Sequence, residues 1–98
     1  MQDHEQVFDS EIGPALLALA KKCEDLGMPF IAVCQYKNEG TSHTAYVPEG
    51  SDPLVRMAYY AAQSKGNVDT LVAAIRRDGE KHGHDSIVLS LLKSLERA

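Results

Sequence analysis

Pro29-Phe30-Ile31-Ala32-Val33-Cys34-Gln35-Tyr36 leads through Lys37-Asn38-Glu39-Gly40 into Thr41-Ser42-His43-Thr44-Ala45-Tyr46-Val47. The first segment is rich in β-branched and aromatic residues and nearly continuously apolar, which reads as a strand covered on both faces over its centre. The four-residue connection ends in glycine, a good hairpin loop. The second segment starts polar, and Pro48 ends it. This hairpin is the only strand signal in the chain, so everything else must be arranged around it.

Outward from the hairpin, both flanks read as helix. Upstream, Ile12, Leu16, Leu19, Ala20, Cys23 and Leu26 recur at helical spacing. Asp9 or Ser10 caps a start near Glu11, Pro14 fits the first turn, and Gly27 stops the helix. Residues 1–8 carry no clear period and read as a frayed arm, with Val7 and Phe8 able to tuck onto the core. Downstream, Asp52-Pro53 is a cap followed by a first helical proline, and this second helix runs to Ser64 or Lys65 before Gly66. Asn67 caps a third helix with Val68, Leu71, Val72 and Ile75 on its apolar stripe, continued by Gly79 and His82 and closed by Gly83. Asp85 or Ser86 caps a fourth, with Ile87, Val88, Leu91, Leu92 and Leu95 inward. The expected fold is α+β, a single domain over residues 1–98 in the order α-β-β-α-α-α.

A two-stranded sheet is marginal alone and leaves two open edges. Helices must cover one face, and the partner closest to hand for an edge is a second copy. The sequence therefore predicts a homodimer joined through strand residues, with Phe30, Ile31, Val33, Tyr36, His43 and Tyr46 as candidates.

Composition bounds the rest. The 98 residues are 44% hydrophobic and 24% charged, ordinary for a globular domain. Fourteen acidic residues against ten basic give a net charge of −4, which disfavours nucleic acid as a partner. The acidic, polar start Met1-Gln2-Asp3-His4-Glu5 is unlike a signal or transit peptide, and no apolar run reaches membrane-spanning length. A cytoplasmic location without membrane contact is the expectation. Cys23 and Cys34 then read as free thiols on apolar positions.

No motif demands chemistry. His82-Gly83-His84-Asp85 flanks a helix-ending glycine without the further ligands a zinc site needs. Cys34 and His43 sit on neighbouring strands, but no oxyanion loop follows the cysteine. No phosphate-binding glycine loop is present. The reading is a non-enzymatic protein with no cofactor and no metal. Two surfaces stand out as candidate interaction sites. Arg56 and Tyr60 are four apart on the second helix, with Tyr59 turned about 100° away; Tyr and Arg are enriched in interface hot spots. Arg76, Arg77 and Lys81 give the third helix a basic side. The plainer readings are packed rings and a solvated helix face. The alternative function is a small regulatory nucleic-acid-associated protein using that basic side.

Several phrases occur in order: Phe8-Asp9-Ser10-Glu11-Ile12-Gly13-Pro14-Ala15-Leu16, Gly27-Met28-Pro29-Phe30, Met57-Ala58-Tyr59-Tyr60-Ala61-Ala62, Gly66-Asn67-Val68-Asp69 and His82-Gly83-His84. With these the chain resembles small uncharacterised proteins encoded by bacteriophages and prophages of Gram-negative bacteria. The resemblance transfers no catalytic residue. It implies a bacterial host cell and an accessory role, binding a host protein.

Overall fold

A computed structural model of the chain describes residues 1–84, 86, 89 and 90. The chain divides into two compact units, Met1–Gln63 and Ser64–Ala98.

The first unit opens with a short helix α1 (Glu5–Val7), a π-helical turn (Phe8–Ile12) and the helix α2 (Gly13–Asp25). The strands β1 (Phe30–Lys37) and β2 (Gly40–Tyr46) follow, and then helix α3 (Pro53–Ser64). The strands pair antiparallel, from Phe30 opposite Tyr46 to Gln35 opposite Thr41. A register shift between Gln35 and Lys37 leaves Tyr36 as a bulge before Lys37 meets Gly40. The α+β class read from the sequence is the fold, and both strands agree with their predicted spans to within a residue at either end.

The frayed arm expected at residues 1–8 is a correction. Helix begins at Glu5, well before Glu11, and the Asp3 carboxylate accepts from the Glu5 backbone N–H at 2.9 Å in the turn before it. The His4 N–H donates to the Tyr36 carbonyl at 2.7 Å. Phe8, the one buried large hydrophobic residue among those described, stacks on Tyr36 with ring centroids 4.9 Å apart. The π turn adds a residue to one helical turn, which changes the phase that a 3.6-residue reading assumes. Ser10 does not cap a helix; its hydroxyl donates back to the Gln6 carbonyl at 2.9 Å.

Phe30, Ile31 and Ala32 are all half-buried, and from Ala32 onward strand burial alternates. Cys34, Tyr36, Ser42, Thr44 and Tyr46 are half-buried, while Val33, Gln35, Thr41, His43 and Ala45 are exposed. One face is thus covered and the other largely open, where the apolar run predicted cover on both. The covered face meets α2, whose half-buried stripe is Gly13, Leu16, Ala20 and Cys23. On the open face Tyr59 of α3 reaches His43 edge-on, with centroids 6.3 Å apart. The turn before α3 is held by the Ser51 hydroxyl donating to the Pro48 carbonyl at 2.6 Å and by the Asp52 carboxylate accepting from the Leu54 N–H at 2.9 Å.

The second unit holds helix α4 (Val68–His82). Asn67 caps it as predicted, its side chain accepting from the Thr70 N–H at 2.9 Å. Gly83 ends it at φ +81°, a left-handed conformation that favours glycine. The covered side of α4 is Leu71, Ile75, Asp78 and Gly79; Val68 and Val72, predicted inward, are exposed. Beyond it, the Ser86 hydroxyl accepts from the Leu89 N–H at 3.2 Å, and Leu89 and Ser90 are helical. The rest of the predicted fourth helix, with Ile87, Val88, Leu91, Leu92 and Leu95, lies outside the described residues, as does Asp85.

Candidate interaction surface

Apart from Leu17, which is 64% exposed and about 160° around the helix from Leu19, the large apolar residues on and beside α2 divide into two groups. Leu16, Ala20 and Cys23 turn to the sheet, whereas Ile12, Leu19 and Leu26 remain 42%, 51% and 64% exposed. These three are seven residues apart, so they share one line along the helix, at about 1.5 Å per residue some 21 Å long. Ile12 fixes where that line lies. With His4, Val7 and Phe8 it bounds a hollow of about 220 Å³ whose remaining walls are Cys34, Gln35 and Tyr36. Every strand residue in that list belongs to β1. The exposed line therefore meets β1 at its Ile12 end.

Below it lies an open strand edge. Apart from the His4–Tyr36 bond, no backbone hydrogen bond outside the hairpin reaches β1 among the described residues. The N-terminal segment blocks the end of β1 next to the hairpin turn. There the Met1 amino group donates to the Asn38 side chain at 3.0 Å, and Lys37 Nζ donates to Glu5 Oε2 at 3.1 Å. The Glu5 carboxylate, through this hydrogen bond and its charge, holds the Lys37 ammonium above its ordinary pKa. Among the described residues, no backbone group outside the hairpin bonds to Phe30–Gln35. Strand edge, apolar line and hollow are contiguous.

The residues singled out from sequence fall in several places. Phe30, Ile31 and Val33 lie on the open stretch of β1, and Tyr36 lies at its blocked end. His43 and Tyr46 are on β2, opposite Val33 and Phe30. On α3, Arg56 Nη1 donates to the Ser51 carbonyl at 2.5 Å, so its head holds the preceding turn. Tyr59 lies against His43, and Tyr60 is half-buried. The basic side of α4 divides too: Arg76 is half-buried, while Arg77 and Lys81 are exposed. Helical spacing places Ile12, Leu19 and Leu26 with the core residues of the helix, whereas their exposure is a tertiary property that spacing does not carry.

Cys34 and His43 do not assemble as a catalytic pair. His43 is opposite Val33, and Cys34 is opposite Ser42, so alternation puts the two side chains on opposite faces of the sheet. Among the described residues no group of three or more His, Cys, Asp or Glu is arranged to hold a metal ion. His82 Nε2 is 4.0 Å from Asp78 Oδ1, and His84 has a local task. Its ring lies against Gly79, where an added Cβ would come 2.7 Å from Cδ2, and its Nδ1 accepts from the Ser86 N–H at 3.0 Å. No helix among the described residues is long and apolar enough to cross a membrane. Compared with family models, curated proteins and solved structures, the chain matches none of them.

Proposed function

We propose that this chain is a non-enzymatic interaction protein that self-associates and binds a second protein, in keeping with its resemblance to phage and prophage accessory proteins acting on a host bacterial protein. The observation that supports this reading is the contiguous β1 margin. It joins a strand edge that is unpaired among the described residues to the exposed side chains Ile12, Leu19 and Leu26. A soluble chain covers such an edge or uses it, because open edges invite pairing and exposed apolar surface favours association.

The test is capture of partners by the tagged chain from a Gram-negative bacterial lysate, with and without nuclease, read by mass spectrometry. One stoichiometric protein that survives nuclease is the expected result. Recovery of nucleic acid, with proteins lost after nuclease, would replace this reading with the nucleic-acid alternative and direct attention to Arg77 and Lys81.

A further inference from the structure

We infer that the β1 margin is covered by a second copy of this chain, with β1 pairing antiparallel to the partner's β1 and α2 packing beside the partner's α2 about one twofold axis. The inference rests on the self-association reading above and places its joint.

Three features favour a second copy over another occupant. First, the margin is a two-layer wall, a strand edge below and an apolar helix line above, and a second copy supplies a matching wall. A twofold axis perpendicular to the sheet keeps both helix-bearing faces on the same side, so strand meets strand and helix meets helix.

Second, the line of exposed residues is its own complement. Reversed about Leu19, Ile12 falls opposite Leu26 of the second copy and Leu19 falls opposite itself. The open stretch of β1 has its midpoint between Ala32 and Val33. The open stretch Phe30–Gln35 is about 20 Å long at 3.3 Å per residue, matching the helix line. Ile12 stands at the level of Cys34 and Gln35, so Leu19, some 10 Å further along α2, stands near Ala32. Side chains opposite each other across strands share a face, so the register must pair like with like. Ala32 opposite Ala32 does so, with Ile31 opposite Val33 and Phe30 opposite Cys34. In this register the His4 block at Tyr36 stays outside the paired stretch.

Third, the area comes close to what a stable pair needs. A strand layer under a helix of about 10–12 Å diameter gives a wall about 20 Å high. Its projected area is on the order of 400 Å² per copy, and accessible surface exceeds projection. That approaches the roughly 1,000 Å² total that separates specific interfaces from incidental ones.

The experiment measures the mass of the full chain by light scattering after gel filtration, then repeats it for Leu19→Glu, for the milder Leu19→Gln, and for Leu54→Glu as a control at a site 77% exposed on α3. Far-UV circular dichroism checks that each variant is folded. The parent should run at about twice the 10.7 kDa of one chain. Leu19→Glu should weaken the dimer about ten-fold or more by placing two like charges at the axis, Leu19→Gln less, and Leu54→Glu not at all. A second measurement needs no disruptive change. In a Cys23→Ala, Cys34→Ala background, Leu19→Cys should give a covalent dimer under mild oxidation, and Leu54→Cys should not. A monomeric parent overturns both this inference and the self-association reading. A dimer indifferent to Leu19→Glu and not cross-linked through Leu19→Cys overturns the placement alone and leaves self-association standing.

Discussion

Phe8 lies on Tyr36 with ring centroids 4.9 Å apart and planes inclined by 28°, and this stack joins the π-helical turn to the bulge of β1. The two irregularities meet at this contact. The π turn places Phe8 over the sheet, and the bulge gives Tyr36 a position outside the paired register. Aromatic pairs in offset stacking add about 0.5–1.5 kcal/mol beyond the area they bury. With only one large hydrophobic residue buried among those described, this contact carries an unusual share of the first unit's packing.

Phe8→Ala should therefore cost about 3–5 kcal/mol, the range for truncating a buried phenylalanine. In urea the unfolding midpoint should fall well below that of the parent. Tyr36→Phe, which keeps the ring, should stay within about 0.5 kcal/mol. A Phe8→Ala midpoint equal to the parent's would mean that the stack does not hold the helix start to the strand.

The Lys37–Glu5 pair makes the same junction sensitive to pH. The folded-state pKa of Lys37 is raised above 10.5, so folding tightens its hold on the proton. The stabilisation is fully present below pH 10.5 and is lost as pH rises through the raised value. Both side chains are partly exposed, so the effect is small and salt weakens it. Urea midpoints between pH 9 and 11.5 should fall less steeply for Lys37→Met than for the parent. Equal slopes would show that the pair contributes nothing in solution.

Much of this architecture is legible in the chain, and the parts that are not have physical reasons. The hairpin is legible because Phe30 to Tyr36 offers β-branched and aromatic residues that no helical period fits, and because Gly40 and Pro48 bound the second strand. The start of α4 is legible because Asn67 is a strong capping residue. The helix start at Glu5 is not, since residues 1–8 lack a period and a π turn breaks the spacing on which a helical reading depends. The candidate surface was half legible. Open edges follow from a two-stranded sheet, and the strand residues of β1 were named. Spacing could not tell which apolar residues of α2 face the sheet, because Leu16 and Leu19 lie only about 60° apart around the helix. The packing angle decides between them, and that is a tertiary property.

Asn67→Ala offers a prediction confined to the second unit. The Asn67 side chain satisfies the Thr70 N–H, which otherwise has no acceptor within the helix. Removal should destabilise α4 by about 1 kcal/mol, and Asn67→Asp should recover most of it. Amide hydrogen exchange at Thr70 and Leu71 reads this directly, as faster exchange in the alanine variant and near-parent rates in the aspartate variant. Unchanged exchange would mean that the cap is not formed in solution.

Gly40→Ala tests whether the bulge and the Phe8 stack act together. A Cβ at Gly40 would meet Lys37 Cγ and stand 2.9 Å from Tyr36 Cε2, closer than such contacts are normally found. Lys37 is flexible and can yield, but the Tyr36 ring is held between this glycine and Phe8. The substitution should cost about 1–3 kcal/mol, as overpacking does in a fitted site. If the cost arises from pushing Tyr36 out of the stack, then it should shrink once Phe8 is gone. A double-mutant cycle of Gly40→Ala with Phe8→Ala should then give a coupling of at least about 0.5 kcal/mol, the level at which contacting residues depart from additivity. Strict additivity would place the cost of Gly40→Ala in the turn itself and separate the bulge from the stack.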